Sequence, residues 1–317
     1  MTAATVRPYT DAGASAWVAL SNLVLGRTVT AESFQAEEAR RDPEQLSRRW
    51  VAERGGEVQG LAHLSFFPFD PPGFLHASIL VDPEARGRGT GRALWAAVEQ
   101  AAREAGAAGL AADVTDTDPQ SLAWAVRRGF HQHAHRFASE LDLTTFDEAP
   151  YLEALAKAEA QGVTFTDLSG ADEAALERYL NFVADRLTET PDLAGHLRWL
   201  LAQVRGILHL DHDPHPDWLI LALGPDGEWL GTTAMVAYRQ MAYNELTATH
   251  PAARGRGLAL PLKLHAIRRA REAGLTFMRT NNHSRNAPML AVNRRLGFVA
   301  RPGRFELHRP FAPTSGV

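Results

Sequence analysis

The chain has 317 residues, of which 45% are hydrophobic and 22% charged, and its formal net charge is −4. These values are typical of a globular protein and argue against a disordered chain or a dedicated nucleic-acid binder, which would show fewer apolar residues or a basic surplus. The absence of cysteine excludes disulfides and thiolate chemistry, and without a secretion signal or a long apolar segment we expect a cytoplasmic protein.

Apolar periodicity predicts the elements of the first half in chain order. A strand and a helical region come first, followed by a hairpin around Gly55 and Gly56. A strand then leads through the segment RGRGTG (86–91) into a long helix, after which a strand, a short helix and a closing strand are expected. This half is therefore predicted to be α/β, with a hairpin and a strand-loop-helix crossover.

The second half is predicted to repeat this order. Ser169 and Asp172 resemble a capping box before its first helix. The sequence Pro225-Asp226-Gly227 marks the hairpin, and RGRGLA (254–259) separates a strand from a helix. The two halves are therefore expected to share one architecture.

A shift of 168 positions places similar stretches of the chain over each other. VDPEARGRGTGRAL (81–94) then covers THPAARGRGLALPL (249–262), and 17 of 50 aligned positions are identical. In both copies a Gly-Phe pair follows the first arginine of the loop by 43 residues, a distance that a solvated Arg-Gly tail has no reason to keep. We expect an N-terminal domain at 1–145, a linker helix at 146–162 and a C-terminal domain at 163–317.

Each Arg-Gly loop connects a strand to a helix, which predicts an anion site. The first amides of a helix lack internal acceptors and carry partial positive charge, and glycine lets a bulky diphosphate approach the backbone. The lysine of a P-loop is missing, and Arg92 stands where a Rossmann fingerprint needs its third glycine. Both copies instead satisfy Arg-x-x-Gly-x-Gly/Ala, beginning at Arg86 and Arg254.

This motif, after a strand ending in Val-Asp-Pro or Thr-His-Pro and before the distant Gly-Phe pair, resembles that of the GNAT superfamily of acyl-CoA-dependent N-acetyltransferases. The resemblance covers nearly the whole chain as two tandem copies, in an arrangement similar to that of mycothiol synthase. It implies an α/β fold of two GNAT-like domains, each with a mixed, mostly antiparallel sheet flanked by helices. It also implies acetyl-CoA as the cosubstrate.

The resemblance implies that the ends of two strands, the two loops and a later asparagine bind the cosubstrate. These residues are Leu80, Val81, Arg86, Gly87, Arg88, Gly89, Thr90, Gly91, Ala248, Thr249, Arg254, Gly255, Arg256, Gly257, Leu258, Ala259 and Asn286. Copy one has Asp118 in place of Asn286, and a carboxylate is a poorer neighbour for phosphate. Copy two is therefore expected to be better equipped here.

A carboxylate base is also implied, and Glu245 is the first candidate. It lies on the strand that leads into the second loop, four residues before Thr249, so the alternation of a strand places both on one face. Tyr243 on this face is a second candidate for handling protons, whereas copy one has Ala77 opposite Glu245 in the alignment. The alternative for Glu245 is a solvated carboxylate on an edge strand.

The tyrosine that often protonates the leaving thiolate in this family has no counterpart in either copy. Ala125 and Asn293 occupy its position, and of these Asn293 can still hydrogen-bond the thioester or the cosubstrate. A thiolate with a pKa near 8.5 can also leave with little help.

We therefore expect an N-acetyltransferase that moves an acetyl group from acetyl-CoA to a primary amine of a small molecule, with catalysis in the C-terminal domain. The alternative is a non-catalytic, regulatory protein in which both copies bind acyl-CoA. Neither nucleic acid nor a membrane is expected as a partner. The chain is expected to be a monomer with an internal pseudo-dimer, or a homodimer.

Two histidine-rich segments contain possible metal ligands but are not predicted to be metal sites. His131, His133 and His135 alternate on one predicted strand, which suits zinc but is more typical of an exposed or interface face. The segment HLDHDPHPD (209–217) lies at proline-rich turns and is typical of a surface loop. No metal site is predicted.

Overall fold

The structure is a computed structural model that describes residues 4–67, 70–191 and 197–311. The strands are β1 Thr5–Pro8, β2 Ser47–Arg54, β3 Glu57–Ser65, β4 Phe74–Val81, β5 Gly109–Thr115, β6 His131–Asp142, β7 Thr164–Thr166, β8 Leu219–Leu223, β9 Trp229–Tyr238, β10 Met241–Thr249, β11 Phe277–His283, β12 Val299–Ala300 and β13 Arg304–Pro310. The α-helices are α1 Ala14–Leu25, α2 Ala31–Ala39, α3 Thr90–Glu104, α4 Pro119–Val126, α5 Leu152–Glu159, α6 Glu173–Thr188, α7 Leu201–Ile207, α8 Ala259–Glu272 and α9 Ala287–Arg295. Among the described residues, no helix is both long enough and apolar enough to cross a bilayer.

The chain divides into two compact units. The first unit runs to His133 and also includes the residues from Phe305 onward, while the second runs from Ala134 to Arg304. This division differs from the predicted boundaries at 145 and 163. The reason is that most of β6 pairs with β11 in the second unit, while the C-terminal strand β13 lies beside β5 in the first.

The first unit contains a mixed sheet in the order β1-β2-β3-β4-β5-β13. β4 and β5 run parallel, while the pairs β1–β2, β2–β3 and β3–β4 are antiparallel. Leu94 of α3 belongs to one core with Leu75, Leu110 and Leu307 from the strands. A separate core contains Trp17 of α1. This sheet is thus covered by helices on both faces.

The second unit contains a sheet in the order β6-β11-β10-β9-β8-β7, with β12 paired to β6. β10 and β11 run parallel. The pairs β6–β11, β6–β12, β9–β10, β8–β9 and β7–β8 are antiparallel. Leu262 of α8 shares a core with Ile220, whereas Tyr179 of α6 shares another with Leu219. Because neighbouring residues of a strand face opposite sides, the two helices cover opposite faces.

The predicted α/β class with a mostly antiparallel sheet in each half is confirmed. Both hairpins form as predicted, and α5 lies in the segment predicted as a linker helix. The prediction of a capping box is wrong. Asp172 caps α6 by accepting from the Ala175 amide at 2.8 Å, without Ser169. Ser169 instead donates its own amide to Asp167.

Candidate functional site

In each unit, the two parallel strands separate before the glycine loop. β4 pairs with β5 only from Phe74 to His76, and β10 pairs with β11 only from Met241 to Tyr243. The predicted strand-end residues lie beyond this paired part and are held by the preceding strand alone; they are Leu80, Val81, Ala248 and Thr249. One edge of each strand is therefore left for an extended ligand with amide groups.

Both loops enter their helices with free backbone donors. Within the described part of the chain, the amides of residues 87–91 and of 255–260 have no hydrogen-bond acceptor. Gly89 and Gly257 have φ angles of +90° and +79°, which other residues rarely adopt. These turns point a run of donors toward the start of α3 and of α8, as an anion requires.

Each helix that follows a loop packs against a glycine on the antiparallel neighbour of the strand that enters the loop, which is β3 in the first unit and β9 in the second. A Cβ on Gly60 would lie 2.8 Å from side-chain atoms of both Thr90 and Leu94. A Cβ on Gly231 would lie 2.9 Å from the Ala248 carbonyl and 3.0 Å from Leu262. Gly60 pairs with Val81 and Gly231 with Thr249, so the two glycines are equivalent in the repeat. The repeat does not reveal this pair, because both glycines lie outside the ungapped alignment.

Arginines surround the first loop. The Arg54 guanidinium donates to the Arg88 carbonyl at 2.9 Å and helps to fix the turn. Arg128 stacks over the Trp124 ring at 3.3 Å. Burial, and then the charges of Arg127 and of Arg92, lower the pKa of Arg128. Such a group of like charges beside free amides favours a multiply charged anion.

The second loop borders a cavity of about 250 Å³ that is lined by three cationic side chains and one carboxylate, that of Glu153. Lys157 comes from α5, Arg256 from the loop and Arg295 from α9, and Gly255 and Gly257 also line the cavity. Lys157 and Arg295 could not be recognised from the sequence as part of this site, since they belong to elements that are distant along the chain.

Two of the predicted loop arginines already have partners. Arg254 forms an ion pair with Glu189, and the Arg256 Nε donates to Gln161 at 3.3 Å. Leu258 caps the start of α8 and is buried, and Ala259 is the first helical residue. In this loop, anion binding thus depends on the backbone, on the cavity cations and on any rearrangement of Arg254.

Glu245 lies at a β-bulge. The register between β10 and β9 shifts between Asn244 and Leu246, and the Thr247 hydroxyl donates to Asn244 Oδ1 at 3.0 Å. A regular strand would place those two residues on opposite faces. The bulge interrupts the alternation of side chains between the two faces of the sheet. The spacing of four residues therefore no longer places Glu245 and Thr249 on one face.

The bulge holds Glu245 half-buried just past Tyr243, the last residue of β10 that pairs with β11. Burial raises the pKa of Glu245 to about 7. The first unit differs here, because Ala77 is buried and β4 pairs with β3 without a shift from His76 to Val81. The second unit alone therefore offers a titratable group at this position.

A buried lysine lies behind the bulge. The Lys263 amine donates to Asn244 Oδ1 at 2.6 Å, and only 1% of the residue is exposed. Burial lowers its pKa to about 7. Asn244 in turn donates to the Thr233 hydroxyl and to the Ala234 carbonyl, both at 2.9 Å. This residue was missed, although a lysine inside the apolar segment LALPLKLHAI was a usable signal.

Asn293 is buried, with 2% of its surface exposed. Its amide donates to Asn282 Oδ1 at 2.8 Å, and Asn282 itself donates to Ser139, which fixes the direction of the pair. Asn293 Oδ1 has no partner among the described residues. An amide cannot supply a proton, but this oxygen can accept a hydrogen bond from a ligand. In the first unit, Ala125 occupies the core.

Tyr243 and Asn286 have clear local roles. The Tyr243 ring meets the Tyr238 ring edge-on at 6.1 Å. Asn286 caps α9 by accepting from the Met289 amide at 3.4 Å, and Asp118 caps α4 in the same way. Helix capping thus accounts for both Asn and Asp at this position. Among the described residues, this cap uses only the side-chain oxygen of Asn286, which leaves its amide nitrogen for a ligand.

Two family models match the chain. The acetyltransferase (GNAT) family model matches residues 17–130, and the acetyltransferase (GNAT) domain model matches residues 151–281. A search of curated proteins gave no match.

Solved structures share the fold over almost the full length of the chain. A GCN5-related N-acetyltransferase from Sphaerobacter thermophilus is 17% identical with a TM-score of 0.67, covering 99% of this chain and 98% of its own. A tandem GNAT protein from the clavulanic acid biosynthesis pathway is 22% identical with a TM-score of 0.63, covering 99% and 100%. The chain belongs to the GNAT acetyltransferase family and carries two of its domains in tandem.

Proposed function

We propose that the second domain transfers the acetyl group of acetyl-CoA to a primary amine of a small molecule, with Glu245 as the base. The observation that carries this proposal is a half-buried carboxyl at the bulge, where β10 and β11 separate. A base with a pKa near the working pH can both take and release a proton.

The reaction needs one base and one leaving group. The neutral amine attacks the acetyl carbonyl, the carbon–sulfur bond breaks, and the amide product and the CoA thiolate form. The proton of the attacking amine passes to Glu245, directly or through water. Because a thiolate is a stable leaving group, the missing tyrosine at Ala125 and Asn293 does not prevent the step.

Acetyl-CoA fits the donors that each domain offers. Free amides and cations at both loops suit a diphosphate, and the open edges of β4 and β10 suit the amide-bearing arm. The residues that would hold it in the second domain are Ala248, Thr249, the amides of 255–260, Lys157, Arg256 and Arg295. We propose that both domains bind it and that only the second transfers the acetyl group.

Thiol release from acetyl-CoA with a panel of small amines tests the activity. The chain contains no cysteine, so a thiol reagent reports only the released CoA. We expect Glu245→Gln to reduce kcat at least about 100-fold, the loss typical of a missing general base. Its affinity for CoA should be unchanged. Glu177→Gln, at an exposed position of α6, is the matched control and should keep full activity.

A different result would support the alternative. If CoA binds in calorimetry but no amine gives turnover, the protein is a non-catalytic acyl-CoA binder. The absence of the family's tyrosine in both domains favours this alternative. If Glu245→Gln keeps its kcat, the assignment of the base is wrong.

A further inference from the structure

A second group of chemically active side chains lies in the first unit. Glu306 and His308 alternate with Leu307 on β13. Leu307 is fully buried in the core that contains α3. Because strand residues alternate between faces, Glu306 and His308 point to the opposite face of this sheet.

His133 at the start of β6 completes the group. Potential ligand atoms of His133, Glu306 and His308 all lie within 4.8 Å of one another. His308 Nε2 is 3.0 Å from Glu306 Oε1, and the two imidazole rings stack with centroids 4.0 Å apart. Glu306 and His308 are 9% and 6% exposed, whereas His133 is exposed.

We propose that His133, Glu306 and His308 form a binding site for a divalent metal ion of the zinc class. Two imidazoles and one carboxylate are a ligand set that zinc uses when a fourth position stays open. With metal–ligand distances near 2.1 Å, tetrahedral ligands lie roughly 3.4 Å apart. Ligand atoms within 4.8 Å therefore need only small side-chain movements.

The burial of Glu306 and His308 suits this role. Glu306 and His308 are held on a strand whose intervening residue is fixed in the core, so two ligands are preorganised. His133 lies on the exposed side of the group and provides the route of entry. A metal ion would also neutralise a carboxylate that is costly to bury.

A second histidine and two further carboxylates lie in the electrostatic surroundings of Glu306. His76 of β4 contacts the buried Asp70 carboxylate at 3.2 Å. Burial alone would lower the pKa of His76, but the hydrogen bond and charge of Asp70, and then the charges of Asp113 and Glu306, raise it. The carboxylates of Asp70, Asp113 and Glu306 thus all act on one region of this unit.

The site differs from the histidine triplet that the sequence pattern suggests. The alternating histidines His131, His133 and His135 would form one site on a single strand. Only His133 belongs to the observed group, and its two partners lie about 170 positions later in the chain. Linear spacing cannot identify such a site, because the two strands meet only in the folded chain.

Cobalt(II) titration of the full-length, tag-free protein tests the proposal. We expect d–d absorption bands that saturate at one equivalent and disappear when zinc is added. His133→Gln alters an exposed residue and should not disturb folding, so it is the deciding variant. We expect it to weaken metal binding by at least about 10- to 100-fold, the loss caused by removing even an outer-shell partner.

Three further variants separate this site from others. Glu306→Gln should weaken binding in the same way, provided that its thermal unfolding matches the parent protein. His131→Gln, two residues before His133, and His212→Gln, in the second histidine-rich segment, should bind as the parent does. If His133→Gln binds normally, if either control loses the bands, or if no band saturates at one equivalent, the proposal is overturned.

Discussion

The ionisation of Glu245 depends on its half-buried position at the bulge. The group has little access to water, which raises its pKa to about 7. Lys263 lies behind the same bulge and is bonded to Asn244 rather than to Glu245, so it does not offset this shift. The site therefore contains a carboxylate that is only partly ionised at neutral pH.

The rate should follow this ionisation. A base must be deprotonated to act, so kcat/KM is expected to rise about tenfold per pH unit below pH 7 and to level off above it. The profile is best measured with an amine of low basicity, so that its own ionisation does not contribute. A midpoint near the ordinary value for glutamate, about 4.3, would contradict the assignment.

The same shift predicts a change in stability. The folded pKa is raised, so the folded state binds more protons than the unfolded state between pH 4.5 and about 7. The free energy of unfolding therefore falls as pH rises through this window, and the cost is fully present above pH 7. Glu245→Gln removes the cost and should stabilise the protein at pH 8 by on the order of 1–3 kcal/mol.

That gain should shrink toward zero at pH 5, where the carboxyl is largely protonated in the folded state. Urea unfolding at the two pH values measures it, and Glu177→Gln serves as the exposed control. An equal effect at both pH values would mean that Gln acts through packing and not through charge.

At the level of elements, the position of each loop depends on close packing between the helix that follows it and a glycine of β3 or β9. Gly231 faces the Ala248 carbonyl and Leu262 of α8, and Gly60 faces Thr90 and Leu94 of α3. Any side chain there pushes the helix start, and with it the free amides, away from the strand. The duplicated glycine is thus a requirement of packing, in both units.

Gly231→Ala should destabilise the protein by about 1–3 kcal/mol, as overpacking in a core does. Gly60→Ala should cost less, because the two nearest atoms, at 2.8 Å, are the ends of side chains, and the nearest carbonyl, that of Leu80, is farther away at 3.3 Å. Gly206→Ala is the control. Gly206 lies in α7 with nothing within 4 Å of its added Cβ, so alanine there should be neutral or stabilising by up to about 1 kcal/mol. Urea midpoints at constant m-value compare the three, and equal effects would contradict this packing account.

For the whole molecule, the first unit is completed by the C-terminal strand. Leu307 is fully buried, Phe305 and Phe311 pack against the same core, and Arg309 bonds Glu99 of α3 at 2.7 Å. A cut at the predicted boundary of 145 removes all of these contacts from the first unit.

We therefore expect a fragment of residues 1–145 to lack a cooperative unfolding transition. A chain of residues 1–133 with 304–311 attached through a flexible Gly/Ser linker should regain it, because the buried positions are filled again. Circular dichroism during heating distinguishes the two. A cooperative transition in the shorter fragment would show that β13 is dispensable.

The sequence by itself determined the duplication, the two loops and most of the elements around them. Periodicity, glycine placement and the repeat spacing depend on residues that are close together or at a constant offset, so they can be identified before folding. It also indicated Glu245, although the alternation used to orient this residue fails at the bulge.

Only the tertiary structure decided the bulge, the buried amine of Lys263, the cavity with Lys157 and Arg295, and the exchange of final strands between the units. Hydrogen-bond register and burial arise from contacts between residues that are far apart along the chain. The group formed by His133, Glu306 and His308 is of the same kind, since β6 and β13 are separated by most of the second domain.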